Sequence, residues 1–223
     1  MKLLSKYKFV LFDCDGVILN SNKIKSDAFY QVAMGYDPVA AKQLKMFSES
    51  TNGFSRRQIF TFFAEKILKE KNCELIVNSM VQEFSVVVKP ALLKCDIVKR
   101  LVQIKAINKN SRWMVVSGGD QSELRSVFLA RDILSLFALG VFGSPRSKNV
   151  IIKEEFAEKN LLGSTIFFGD SRTDYEVAKH WGFDFVFVGA WSDLIGWQNF
   201  CETEKIPWVL SLDEIDKLCY SVA

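Results

Sequence analysis

The first apolar run of the chain is short and continuous, Phe9-Val10-Leu11-Phe12, and it leads into Asp13-Cys14-Asp15-Gly16-Val17. Such a run, bounded by a turn residue, predicts a strand buried on both faces of a parallel sheet. The period then changes. Ile24, Ala28, Val32 and Ala33 predict a helix, interrupted over 35–38, and a second helix follows over 39–47. A polar break over 48–53 precedes a strong helix over 55–71, where Ile59, Phe62, Phe63 and Ile67 recur at i, i+3, i+4 spacing. Asn72 is its stop, and 74–88 predicts a further helix ahead of Pro90. No strand is predicted over 20–90.

Beyond residue 92 the two periods alternate. Helices over 97–107, 121–131, 150–159, 174–181 and 212–218 interleave with strands over 113–116, 139–142, 165–168, 183–188 and 207–210. This rhythm predicts an α/β fold: a doubly wound, Rossmann-like parallel sheet with helices on both faces. The expected division is a core of residues 1–19 and 91–223, interrupted directly after its first strand by an α-helical cap domain over 20–90.

Composition narrows the partners. The 223 residues are 49% hydrophobic, ample for a packed core, and the net charge is only +3. No dense Lys/Arg run carries interleaved aromatics, so no nucleic-acid partner is expected. The longest uncharged stretch, 133–145, contains a glycine and a proline and is too short to span a bilayer, so no membrane partner is expected either. The first residues are charged, with no long apolar region before Asp13, which does not fit a signal peptide. Five scattered cysteines without a C-x-x-C spacing fit the reduced thiols of a cytoplasmic protein. Trp191, Trp197 and Phe200 read as core more than as interface, and a monomer or homodimer is expected.

Candidate chemistry lies at the strand ends. Side chains at i and i+2 of an extended segment share a face, so Asp13 and Asp15 point together, with Cys14 opposite as a small buried residue. They fall where open α/β sheets bind ligands, and a divalent cation would relieve their repulsion. A solvated turn is the plain alternative. Ser117-Gly118-Gly119-Asp120 offers a hydroxyl and exposed backbone N–H groups for an anion such as phosphate, or merely a capped strand-to-helix turn. Lys148 can reach the same cleft, or be solvated in its loop. Asp170, in Phe167-Phe168-Gly169-Asp170-Ser171, would complete a hard oxygen site of the kind magnesium takes. Asp174 is either a further ligand or the acid of an S-x-x-D capping box opening a helix. The single histidine, His180, stands apart from any acid cluster, which leaves little room for a histidine base or a zinc site.

In this order on an α/β core, D-x-D-G-V at 13–17, V-S-G-G at 116–119, Lys148 and G-D-S at 169–171 resemble the four motifs of the haloacid dehalogenase superfamily. The resemblance implies Asp13 as a nucleophile on phosphorus and Asp15 as acid and base. It implies Ser117, Gly118 and Lys148 as holders of the phosphoryl group, and Mg2+ bound by Asp13, Asp15 through its carbonyl, and Asp170, with Asp174 in question. The acid at Asp15 points to phosphate chemistry over dehalogenation. Gly169, where related sugar-phosphate mutases commonly carry an acid, tilts towards a phosphatase of a small phosphorylated metabolite, such as a sugar phosphate or phosphoglycolate. A mutase of the β-phosphoglucomutase type is the alternative within enzymes, and a receiver-like phospho-acceptor module the alternative outside them. The helical insertion resembles the superfamily's small cap, whose loop Gly53-Phe54-Ser55-Arg56 would bring Arg56, or else Arg57, to a substrate carboxylate or second phosphate. The opposing expectation is an N-cap at Ser55 followed by two exposed arginines. Lys25 matches a position near the leaving group.

Overall fold

The computed structural model describes residues 4–51 and 54–217. Six strands form one sheet: β1 (Phe9–Phe12), β2 (Arg112–Asp120), β3 (Gly140–Ser144), β4 (Thr165–Gly169), β5 (Asp184–Val188) and β6 (Trp208–Val209). Their order is β3-β2-β1-β4-β5-β6, and every pairing is parallel. The first short apolar run is thus the centre of the sheet, with Phe9 opposite Arg112 on one side and Thr165 on the other. Both faces of β1 are buried, as a central parallel strand requires. Val10 and Phe12 join one apolar cluster, Phe9 and Leu11 another.

Between β1 and β2 lie helices α1 (Asn22–Met34), α2 (Pro38–Ser50), α3 (Arg56–Phe62), α4 (Glu74–Leu92) and α5 (Leu101–Ile107). The break over 35–38 is a helix end followed by an N-cap at Asp37, whose carboxylate accepts the N–H groups of Val39 and Ala40. The helix expected over 55–71 is capped by Ser55 and Gln58 and closes in a wide turn over Phe63–Ile67. Helix α4 runs through Pro90 instead of stopping before it. The missing N–H would have bonded the carbonyl of Val86, on the exposed side, where water replaces the donor. Among the described residues α4 alone is long and apolar enough to cross a membrane. Its face formed by Val77, Met80, Phe84, Val88 and Leu92 is buried within the protein. The two crossings between helices and sheet are tied together: Leu19 bridges Ile97, Asn20 donates to the Asp96 carbonyl and Val98 to that of Ile18. That pairing starts α5 at Leu101 and not at 97.

The remaining helices are α6 (Gln121–Ala130), α7 (Lys148–Ile152), α8 (Arg172–Trp181) and α9 (Trp197–Glu204). α7, α8 and α9 cover the Phe9/Leu11 face, and α5 and α6 the other. α1, α3 and α4 share that second cluster, so the insertion and one face of the sheet have a continuous apolar core. β2 is longer than expected: its SGGD end keeps pairing, Asp120 beside Ser144, after a register shift. The last predicted helix is a 3-10 turn over Leu212–Lys217, and residue 218 lies outside the described residues. Trp197 and Phe200 are core residues stacked around Phe187, while Trp191 is partly buried against the opposite cluster. Cys14, Cys73, Cys95 and Cys201 are free thiols, Cys14 fully buried, and Cys219 is outside the described residues.

Candidate active site

The order of strands reverses at β1 and β4, the place where open α/β sheets leave a crevice. Asp13 and Asp170 are the residues directly after those two strands, and the Asp13 N–H donates to the Phe168 carbonyl at 2.9 Å. Asp174 joins them from the first turn of α8. One carboxylate oxygen from each of Asp13, Asp170 and Asp174 lies within 4.8 Å of the other two, and all three residues are buried. Two glycines make this convergence possible. Gly16 has φ +76°, and a Cβ there would stand 2.0 Å from Asp170 Oδ2. A Cβ at Gly169 would stand 2.3 Å from that of Asp174, so a side chain at 169 and the carboxylate of Asp174 compete for one space.

Lys148 joins the acids, its Nζ 3.0 Å from Asp13 Oδ2 and 2.5 Å from Asp174 Oδ1. Asp13 Oδ1 accepts the Cys14 N–H at 2.7 Å. Burial pushes the Asp13 carboxyl up, Lys148 opposes it, and Asp174 and Asp15 add repulsion; the result is a pKa of about 7. Burial, then the charges of Asp13 and Asp174, raise Asp170 well above the carboxylate range. Burial also disfavours the Lys148 ammonium, but its two aspartates hold its pKa above that of an ordinary lysine.

Asp15 turns the other way, towards the insertion. Its Oδ1 accepts from Ser21 Oγ at 2.6 Å and its Oδ2 from Lys25 Nζ at 2.5 Å. Burial would raise its pKa, yet Lys25, with Ser21, lowers it below the usual value. Both of its carboxylate oxygens are thus bonded within the protein. The pair fits because residue 119 is glycine: a Cβ there would meet Lys25 Nζ at 3.0 Å.

Asp13, Asp15, Lys25, Lys148 and Asp170 line one cavity of about 110 Å3, together with Arg56 and Gly118. Ser117 does not open into it. It is fully buried behind the Gly118-Gly119 wall, and its Oγ accepts the Gly119 N–H at 3.0 Å. Asp174 takes the helix-opening place of the capping alternative and adds an ion pair to it. Its N–H bonds Ser171 Oγ as the cap of α8, while its Oδ2 accepts from that hydroxyl at 2.6 Å and its Oδ1 pairs with Lys148.

Arg56 departs from the expectation of a free clamp and also from that of an exposed arginine. The Ser55 cap is present, but Arg56 is buried, pairing with Glu123 Oε1 at 2.5 Å, bonding Ser85 Oγ at 2.6 Å and lying over the Phe84 ring. Arg57 is the exposed one, with Glu74 and Asn78. Gly53 lies outside the described residues. Three contributors had been missed: Ser21, Glu123 and Asn22, whose amide bridges Asp170 Oδ2 at 2.7 Å and the Trp191 carbonyl at 2.9 Å. Nothing in their immediate neighbours marks them.

No curated protein matches the chain. Solved structures do. A predicted phosphatase from Clostridium acetobutylicum superposes with a TM-score of 0.70 at 16% identity, over 95% of this chain and 97% of that one. A β-phosphoglucomutase from Clostridium difficile gives 0.67 at 18% identity, over 95% and 96%. A predicted phosphoglycolate phosphatase from Haemophilus somnus gives 0.67 at 15% identity, over 96% and 99%. At such identities the likeness is one of fold. The sequence model of the haloacid dehalogenase-like hydrolases matches residues 10–188, from the central strand to the end of β5, and the chain belongs to that family.

Proposed function

We propose that the protein is a magnesium-dependent phosphatase of small phosphorylated metabolites, working through an aspartyl-phosphate on Asp13. The observation that carries this is the charge balance at the strand ends. Four buried or half-buried carboxylates, Asp13, Asp15, Asp170 and Asp174, face two ammoniums, Lys25 and Lys148. With all four ionised, two negative charges are left over, the charge one divalent cation neutralises, and an all-oxygen donor set suits a hard ion. Asp13, Asp170 and the Asp15 carbonyl would hold Mg2+. Asp174, with both oxygens already bonded, would orient Lys148. The ion would supply charge neutralisation for the phosphoryl oxygens, the main requirement of phosphoryl transfer.

In the first half-reaction Asp13 attacks phosphorus and the bond to the leaving oxygen breaks. The Lys25–Asp15 pair shares a proton between Nζ and Oδ2 and delivers it to that oxygen. In the second, water attacks the aspartyl-phosphate, the same pair takes its proton back, and Asp13 is released. Lys148 and Gly118 on the opposite wall steady the phosphoryl group, and Ser117 behind that wall holds the Gly119 N–H in place. Helices α1–α4 act as the lid that keeps water out during the first transfer. The absence of room for an acid at residue 169 supports hydrolysis over mutase chemistry. Wild-type protein with Mg2+ is expected to release phosphate from an aryl phosphate, and Asp13→Asn to lose at least about 10³-fold in kcat. Unchanged turnover in Asp13→Asn would sink the mechanism.

A further inference from the structure

We infer that the group leaving phosphorus is uncharged and hydroxyl-bearing, a sugar or polyol carrying a single phosphate, and that the Arg56–Glu123 pair enforces this choice. The inference rests on the phosphatase reading and names its substrate class. Two cationic side chains of the insertion reach the cavity, Lys25 and Arg56. Lys25 is neutralised by Asp15 and Arg56 by Glu123.

The Arg56–Glu123 pair cannot be recruited by a second anion without loss. Its side chains are 7% and 6% exposed, and Glu123 Oε2 is buried with no hydrogen-bond partner among the described residues. If Arg56 swung to a substrate carboxylate or second phosphate, Glu123 would keep its charge with neither oxygen paired. Breaking a buried pair from one side is strongly unfavourable. Ser85 and the Phe84 ring hold the guanidinium where it is.

The hydroxyls on the same wall agree. Ser26 donates to the Lys23 carbonyl, Ser48 to that of Lys45 and Thr51 to that of Phe47. Their protons are committed to backbone, so they present lone pairs to the cavity. Lone pairs accept from substrate hydroxyls and repel carboxylate or phosphate oxygens. Asp193 on the lining adds another acceptor, and Phe29 and Phe84 offer ring faces to the apolar side of a sugar. A bisphosphate intermediate has no free cation here for its second phosphate, which also weighs against a mutase.

The test is a steady-state comparison, with Mg2+, of p-nitrophenyl phosphate, hexose monophosphates, 2-phosphoglycolate and a hexose bisphosphate. A hexose monophosphate is expected to exceed both 2-phosphoglycolate and the hexose bisphosphate in kcat/KM by at least tenfold. Glu123→Gln, which frees the Arg56 charge, should narrow that gap at least tenfold, chiefly by lowering KM for the anionic substrates. The double variant Arg56→Gln/Glu123→Gln, which removes both charges, should change all substrates alike. A wild-type preference for phosphoglycolate or the bisphosphate would overturn the inference while leaving the phosphatase reading intact. So would a selective KM increase for those substrates in the double variant. No turnover of any compound, aryl phosphate included, would instead reject the phosphatase reading itself. The wild-type ranking decides the matter even if Glu123→Gln does not fold.

Discussion

Lys25 and Lys148 divide the acids of the site between them and give two aspartates, two residues apart, opposite electrostatic lives. Asp13 is crowded by other carboxylates and its pKa rises, whereas Asp15 has a lysine to itself and its pKa falls. Replacing Lys25 by Met leaves burial at Asp15 opposed only by Ser21 and the more distant Lys148. We expect kcat to fall about 10²-fold and the acidic limb of the pH–rate profile to move to higher pH, with folding retained. A profile that scales down without moving would show Lys25 to be a mere support. Asp13 and Asp170 were legible in the sequence because each is the covalent neighbour of a buried strand, and strand ends are local information. Asn22, 148 positions from the carboxylate it bonds, and Glu123, 67 from its arginine, were not. Ser21 stands just before α1, where a hydroxyl ordinarily caps a helix, but it makes no side-chain cap and donates to Asp15 instead.

At the scale of elements, α3 and α4 meet through aromatic rings that also floor the cavity. The Phe84 ring lies 5.8 Å, edge to face, from Phe60 on α3 and 4.4 Å, tilted, from Phe29 on α1, under the Arg56 guanidinium. Phe84→Ala is expected to cost about 3–5 kcal/mol in chemical denaturation and to raise KM through the loosened Arg56. A loss below about 1 kcal/mol would mean that the cluster can collapse around the gap. Periodicity located the helices of the insertion, because each buries one stripe, but it missed α9. It misjudged their ends where partners decide them. β2 continues through two glycines because β3 is there to pair with Asp120, and α4 passes Pro90 because the carbonyl left over faces solvent. Arg56 follows a correct cap but turns inward to an acid on α6, a contact that no local pattern announces.

For the molecule as a whole, the excess of buried negative charge links metal, proton and fold. The Asp13 pKa is about 7 in the folded protein against an ordinary 3.8. The folded state therefore holds a proton that the unfolded chain has released. That contribution to stability is fully present below about pH 4 and is lost as pH rises through about 7. Under the proposed mechanism a divalent cation would replace the proton above that point. Thermal melting with and without Mg2+ should accordingly show a larger gain at pH 8 than at pH 5, by several degrees at saturating ion. Equal gains at both values would separate the metal from Asp13. The α/β core with its helical insertion was legible from the change of period near residue 92. The continuity of the insertion's core with one face of the sheet was not, because it depends on which helices share a cluster.

The central position of β1 also has a consequence for how the protein is made. Phe9 pairs with Arg112 and Thr165, so the first strand to leave the ribosome has no neighbour until roughly a hundred further residues have been synthesised. At about 5–20 residues per second that is a wait of several seconds at least, with four apolar residues and an open strand edge on each side. The helices that separate β1 from its partners are complete before β2 exists, and they can bury their own aromatic faces first. Chains truncated before residue 112 would keep the nucleophile's strand permanently unpaired, and they mark the length at which nascent protein is most prone to aggregate.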